Sequence, residues 1–205
     1  GQYKVNDKAY NKLGFSIHNY FFAKAIDQIR PGGVIAFVTS RYTMDSKDST
    51  ARKYMAERAD LLGAIRLPDN AFKANAGTEV VSDIIFLQKR DRPADIEPAW
   101  VQLGQTEDGF SINQYFVSHP EMVLGNLELE STQYGHDLTV APIEGANLAD
   151  QLTEAVQHIE GQYTAVEIAA PDIADAEAQR KTLPADPTVK NFSYTVVDGE
   201  IYYRE

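Results

Sequence analysis

The stretch Ser49 to Lys89, STARKYMAERADLLGAIRLPDNAFKANAGTEVVSDIIFLQK, carries the most structural information in the chain. Ser49 reads as the N-cap of a helix through about Ala59, with Arg52, Lys53, Glu57 and Arg58 on its wet side. Leu61 to Leu67 is an apolar, strand-length run that Pro68 ends. A loop with Phe72 and a polar Gly77-Thr78-Glu79 turn lead into a third element, the strand Ser82 to Lys89. Its return after roughly a dozen residues suits an antiparallel pairing with the strand before it.

Upstream, Phe15 to Ile29 repeats its apolar residues at helical spacing, and Arg30-Pro31-Gly32-Gly33 closes the helix with a tight reversal. Val34 to Thr39 is a continuous apolar run whose length and β-branching suit a strand covered on both faces. Thr39-Ser40-Arg41 then forms a polar tip at the strand's carboxyl end, where open α/β sheets bind ligands. Helix, strand, helix, strand, strand is an α/β pattern, though with only three strands.

Arg92-Pro93-Ala94-Asp95 reads as a boundary. The expected division is 1–92, an acidic α+β extension at 93–168, a linker at 169–191 rich in Ala, Asp, Pro and Glu, and a terminal hairpin at 192–205. Within the extension the pattern suggests a strand near Ala99–Leu103, a helix near Ile112–His119, strands at Leu127–Ser131 and Leu138–Ala141, and a helix from Leu148 to Ile159 capped by Asn147. Asp198-Gly199 is the turn signal of the final hairpin.

The net charge of −11 is unevenly distributed. Residues 1–92 hold 15 Lys and Arg against 10 Asp and Glu; residues 93–205 hold 4 against 20. The first segment could therefore face phosphates, whereas the second would be repelled by them. Cysteine is absent, which excludes disulfides and thiolate metal sites and makes a cytoplasmic address the default. Four scattered histidines offer no ligand spacing, and no apolar run reaches the ~18 residues that span a bilayer.

Several of these segments resemble adenine-specific, amino-methylating DNA methyltransferases of the restriction-like and mobile-element type, often fused to helicase regions. The resembling residues include Tyr20-Phe21-Phe22-Ala23-Lys24-Ala25, Arg30-Pro31-Gly32-Gly33-Val34-Ile35-Ala36-Phe37-Val38-Thr39-Ser40, Arg58-Ala59-Asp60-Leu61-Leu62-Gly63-Ala64-Ile65-Arg66-Leu67-Pro68 and Asp83-Ile84-Ile85-Phe86-Leu87-Gln88-Lys89. The resemblance is dense up to Arg92 and patchy beyond it. It implies a Rossmann-like sheet of which these are the last three strands, the final one inserted antiparallel between the other two. It also implies S-adenosylmethionine and DNA as ligands of a parent enzyme. The glycine-rich cofactor turn and the polar-Pro-Pro-aromatic tetrapeptide of that family are missing. This chain is thus expected to be inactive alone, to bind no cofactor, and to need a missing N-terminal half.

By the same resemblance, Phe72 is a candidate wall for an extruded base, although plugging the sheet edge explains it as well. Thr39, Ser40 and Arg41 could meet target or phosphate, and Lys73 with Lys47, Arg52 and Lys53 could contact phosphates. Polar loop tips and a solvated helix face account for the same residues without any ligand. Asp83 is expected to cap its turn, and Trp100 to pack. The alternative is a non-catalytic nucleic-acid-binding or protein-assembly module, and the acidic second half favours a protein partner. In either case Val34–Thr39 should have an open side, inviting a homodimer through that edge or cover from later segments.

Overall fold

The computed structural model describes residues 7–132, 135–162, 183–184 and 186–204. Contacts divide the chain into one unit at 1–164 and a second at 165–205.

In the first unit, the short turn α1 (Lys8–Asn11) precedes α2 (Ile17–Gln28), whose N-cap Ser16 accepts from the Asn19 amide. Gly32, at φ 71°, makes the reversal into β1 (Val34–Ser40), a conformation that costs glycine little. α3 (Tyr42–Asp45) follows immediately, then α4 (Thr50–Arg58) and β2 (Ala59–Leu67). Ser49 makes no side-chain cap. Asp48 does that work, accepting from the Thr50 amide at 2.9 Å. A 3-10 turn at Asp69–Phe72 runs into α5 (Lys73–Ala76), which ends on Gly77 in the left-handed region. β3 (Ser82–Lys89) then returns through the sheet.

β3 lies in the middle of the order β1-β3-β2 and pairs antiparallel with both neighbours, so the outer strands run parallel to each other. This is the three-strand arrangement anticipated from the sequence, within a mixed α/β chain. Among the described residues the wider Rossmann-like sheet is not seen; the other sheets are small antiparallel pairs. These are β4 (Leu103–Gln105) with β5 (Ser111–Asn113), and β6 (Asn126–Thr132) with β7 (Gly135–Ala141). Ala99–Val101 is a 3-10 turn instead of the expected strand, and the helix expected at Ile112–His119 begins only at Gln114, as α6 (Gln114–Ser118). Asn113 explains the shift, because its side chain accepts from the Tyr115 amide and starts the helix there. α7 (Leu148–Val156) is capped by Asn147 as expected.

One face of the central sheet packs against α2 and α4: Phe37 meets Phe22 with ring centroids 4.3 Å apart, and Ile26, Met44, Met55 and Ala56 fill the layer. Ile85, Leu87 and Ala64, buried in the sheet itself, belong to the same core. Trp100, Val101, Ile112, Phe116, Met122 and Ala155 belong to it too, so residues on both sides of Pro93 share one apolar interior. The second face is covered unevenly. Over β2, Gly63 lies so close to Ile159 and Tyr115 that an added Cβ would meet Ile159 Cδ1 at 2.4 Å. Over β1, Val34 and Val38 remain 50% and 58% exposed. The expectation of a strand covered on both faces fails for β1 because nothing among the described residues packs over its second side.

In the second unit, β8 (Ser193–Val197) and β9 (Glu200–Arg204) form the expected hairpin. Positive φ at both Asp198 and Gly199 gives the turn its right-handed match to strand twist. Most of the expected linker at 169–191 lies outside the described residues.

Candidate functional site

The polar tip at the end of β1 opens onto an ionic network that starts in the core. Arg66 sits in β2 with its side chain fully buried, and Asp83, opposite it in register on β3, is equally buried. Arg66 Nε and Nη2 donate to the two Asp83 oxygens, both at 2.8 Å. Its remaining fork faces Asp45 at the end of α3, with Nη1 at 2.7 Å and Nη2 at 3.0 Å. The guanidinium lies 4.3 Å from the centroid of the Phe116 ring. Asp45 also accepts from the Asn113 amide at 2.9 Å. Arg41 Nη1 approaches Asp45 at 3.6 Å, and Arg41 Nη2 bonds Asp137 on β7. Tyr42 donates its hydroxyl to the other Asp137 oxygen at 2.7 Å. Charges thus alternate in sign from Asp83 outward to Asp137.

Burial would lower the Arg66 guanidinium, but Asp83 and then Asp45 more than reverse this, and its pKa is raised. Burial pushes the Asp83 carboxyl up against the pull of Arg66. Hydrogen bonding from Tyr42, helped by Arg41, holds Asp137 below the usual carboxylate range, while Asp137 in turn raises the Tyr42 phenol. Two carboxylates hold Arg66, and Asp137 is the target of both Arg41 and Tyr42. The network is built to hold the β6–β7 hairpin and the sheet together, with few groups free to shuttle a proton to a ligand. Beside it, a cleft of about 730 Å³ is lined by Lys47, Asp108, Phe110, Leu129 and His136. No group of three or more His, Asp or Glu that could hold a metal ion occurs among the described residues.

The sequence-derived candidates fall into two places. Thr39 and Ser40 end β1 opposite Asp83 and Ser82, and Thr39 Oγ1 lies 2.8 Å from Thr43 Oγ1. Arg41 is buried and engaged by Asp45 and Asp137. Phe72 ends the 3-10 turn and packs, partly buried, against the core. Lys73 is exposed and paired with Glu79. The β6–β7 hairpin touches both places: Asp137 takes Arg41, and Thr139 donates to Asp69 of the 3-10 turn at 3.0 Å. Arg52 is not on a solvated face. It is 1% exposed and donates to the carbonyls of Val101, Thr43 and Ser46. Lys53 pairs with Glu97. Asp83 does not cap a turn; it is the buried partner of Arg66. Sequence reasoning missed Arg66, Asp45, Asn113 and Asp137. The available signal was a charged residue inside each of two apolar strands, Arg66 and Asp83, which a hairpin register places side by side.

The outer side of β1 is the other exposed feature. Lys89 donates to the Gly33 carbonyl at 2.9 Å and Arg41 to the Val81 carbonyl at 3.1 Å, at the two ends of the β1–β3 register. Antiparallel pairs alternate between bonded and non-bonded positions, so Ile35, Phe37 and Thr39 bond inward to β3. The N–H and C=O of Val34, Ala36 and Val38 therefore point away from the sheet. Their side chains share a face with the half-buried Ile84 and Phe86, directly opposite Val38 and Ala36. Among the described residues β1 has no second strand neighbour.

No protein-family profile matches the chain. Among curated proteins, "Defense against restriction protein B" of Escherichia phage P1 is 34% identical over 79 residues, which is 38% of this chain. The chain spans only 3% of that relative's length. The relative carries a name for defence against restriction, not for methylation, and this overturns the resemblance to adenine-specific DNA methyltransferases. With it falls the description of the chain as a fragment of such an enzyme. No helix of the described residues is long and apolar enough to cross a membrane.

Proposed function

We propose that this chain is a non-catalytic protein-assembly module whose contact surface is the open edge and bare face of β1. The observation that carries this reading is Val34–Ser40: a seven-residue strand with outward-pointing backbone groups, exposed valines and no charge. Edge strands that stay unpaired are blunted by lysine, proline or a bulge. β1 has none of these, so its sequence suits an edge that is covered in use.

The charges support protein over nucleic acid as the partner. The basic excess of residues 1–92 suggested phosphate contacts, but much of it is spent internally: Lys24 on Asp7, Lys53 on Glu97, Arg58 on Asp27 and Glu57, Arg90 on Asp60. Residues 93–162 contain no Lys or Arg at all. Neutralising phosphates needs unpaired cations gathered on one surface. A 79-residue likeness to a small part of a long phage protein also fits a building block better than a free-standing enzyme.

The test pairs two titrations. An apolar dye should gain fluorescence on the intact chain and lose most of that gain in Val34→Lys/Val38→Lys, while a 30-mer duplex DNA shows no salt-dependent binding. DNA binding that weakens steeply with salt and survives the double substitution would refute the proposal.

A further inference from the structure

Resting on the assembly reading, we infer that the partner strand on β1 is β1 of a second copy, antiparallel, with the two-fold axis passing through Ala36. Three features support a second copy. By the same alternation Ser40 also points outward, and the three apolar outward residues, Val34, Ala36 and Val38, are symmetric about Ala36. Reversal about that residue brings Val34 opposite Val38 of the other copy and Ala36 opposite itself, all at bonded positions. Every side chain from Val34 to Ser40 is uncharged, so no like charges meet across the axis.

The ends of the strand are complementary as well. β1 begins beside a cleft where Lys89, Arg90 and Arg92 outnumber the acidic residues by one. It ends beside a cleft where Asp45, Asp108 and Asp137 outnumber the basic ones by one. Antiparallel pairing sets the cationic end of each copy against the anionic end of the other. A parallel strand would join like to like. The product is a continuous six-strand sheet in which the bare strips of Val34, Ala36, Val38, Ile84 and Phe86 from the two copies form one larger apolar surface. Such cross-strand apolar pairs are what stabilise a sheet beyond its backbone bonds.

Because the sequence has no cysteine, a single introduced thiol can form only an intermolecular disulfide. Residues facing each other at a bonded antiparallel position have Cα atoms about 5.5 Å apart, within the range of ~4.4–6.8 Å that a disulfide spans. The full chain carrying Ala36→Cys should therefore crosslink to completion under mild oxidation at concentrations where Glu154→Cys, exposed on α7, does not. Sedimentation of the unmodified chain should move with concentration from 22.8 kDa towards twice that mass. Val34→Lys/Val38→Lys places lysine opposite lysine across the axis and should abolish the shift. Val34→Lys/Val38→Glu places lysine opposite glutamate and should restore it.

Failure of that charge-swapped variant to restore association, or equal crosslinking of the two cysteine variants, overturns the antiparallel register. A monomer at every concentration that still shows the dye signal and ignores DNA overturns self-pairing while leaving the assembly reading in place. Salt-sensitive DNA binding, by contrast, removes that reading itself.

Discussion

β2 and β1 are both outer strands of one sheet, both antiparallel to β3, yet among the described residues only one of them is covered on its outer side. β2 is buried from Gly63 to Leu67, and the chain returns to its free side: the Leu124 amide donates to the Arg66 carbonyl at 2.9 Å, with Val123 bridging Arg66 in parallel. Along β1, exposed and half-buried residues alternate, and Val34 and Val38 stay in solvent. The cover over β2 comes from residues 113–162, which also bring Phe116 and Asn113 to the buried ion network. The acidic half of the chain therefore completes one side of the sheet and, among the described residues, leaves the other open.

The largest predicted effect lies on the covered side. Arg66→Met leaves Asp83 and Asp45 buried without their shared cation, and breaking such a pair costs about 3–5 kcal/mol. Urea unfolding should show a loss of that size. A loss under 1 kcal/mol would mean the network contributes little to holding β2, β3 and the α3 turn together.

Proline scanning separates the two directions of the β1 backbone. Phe37→Pro removes an amide that bonds to β3 and strands its acceptor, a cost of about 1–3 kcal/mol before packing losses are added. Val38→Pro removes an amide that points outward, and proline is tolerated on edge strands, so the monomer should lose less than about 1 kcal/mol. Equal losses at the two positions would contradict the assigned parity.

A smaller effect concerns the hairpin at the end of β1. Asp137 has a pKa below its unfolded value, so its contribution is present above the unfolded pKa of about 3.9 and is lost as pH falls through the lower folded pKa. Wild type should thus lose this contribution only below about pH 3.9. Asp137→Asn should lack it at pH 6 and show a flatter acid limb. Identical acid profiles would remove Asp137 as the latch.

Much of the central sheet was legible because its signals are local. Ser82–Lys89 was bounded correctly from β-branched residues and turn chemistry, and Gly32 and Gly199 marked reversals that need positive φ. Asn147 announced its helix in the same way. What was not legible depends on contacts distant in sequence. Arg52 looked like one more cation on a wet helix face, yet its three carbonyl acceptors lie on segments that only the tertiary fold brings to it. The apolar run Val34–Thr39 reads as covered on both faces, since sequence periodicity cannot tell a covered strand from a bare one. The network from Asp83 to Asp137 joins β3, β2, α3 and β7, and only the Arg66–Asp83 pair follows from strand register. The methyltransferase resemblance rested on short segments that fit this sheet, and the comparison with the phage protein redirects what they imply about function.

Residue-resolved amide exchange along β1, followed as protein concentration is raised, tests the open edge most directly. Ile35 and Phe37 should exchange slowly at all concentrations because their amides bond to β3. Val34, Ala36 and Val38 should exchange fast in dilute solution and slow progressively as a partner strand covers them. Uniformly slow exchange in dilute solution would contradict the open edge, and fast exchange at those three residues that concentration does not change would contradict self-pairing.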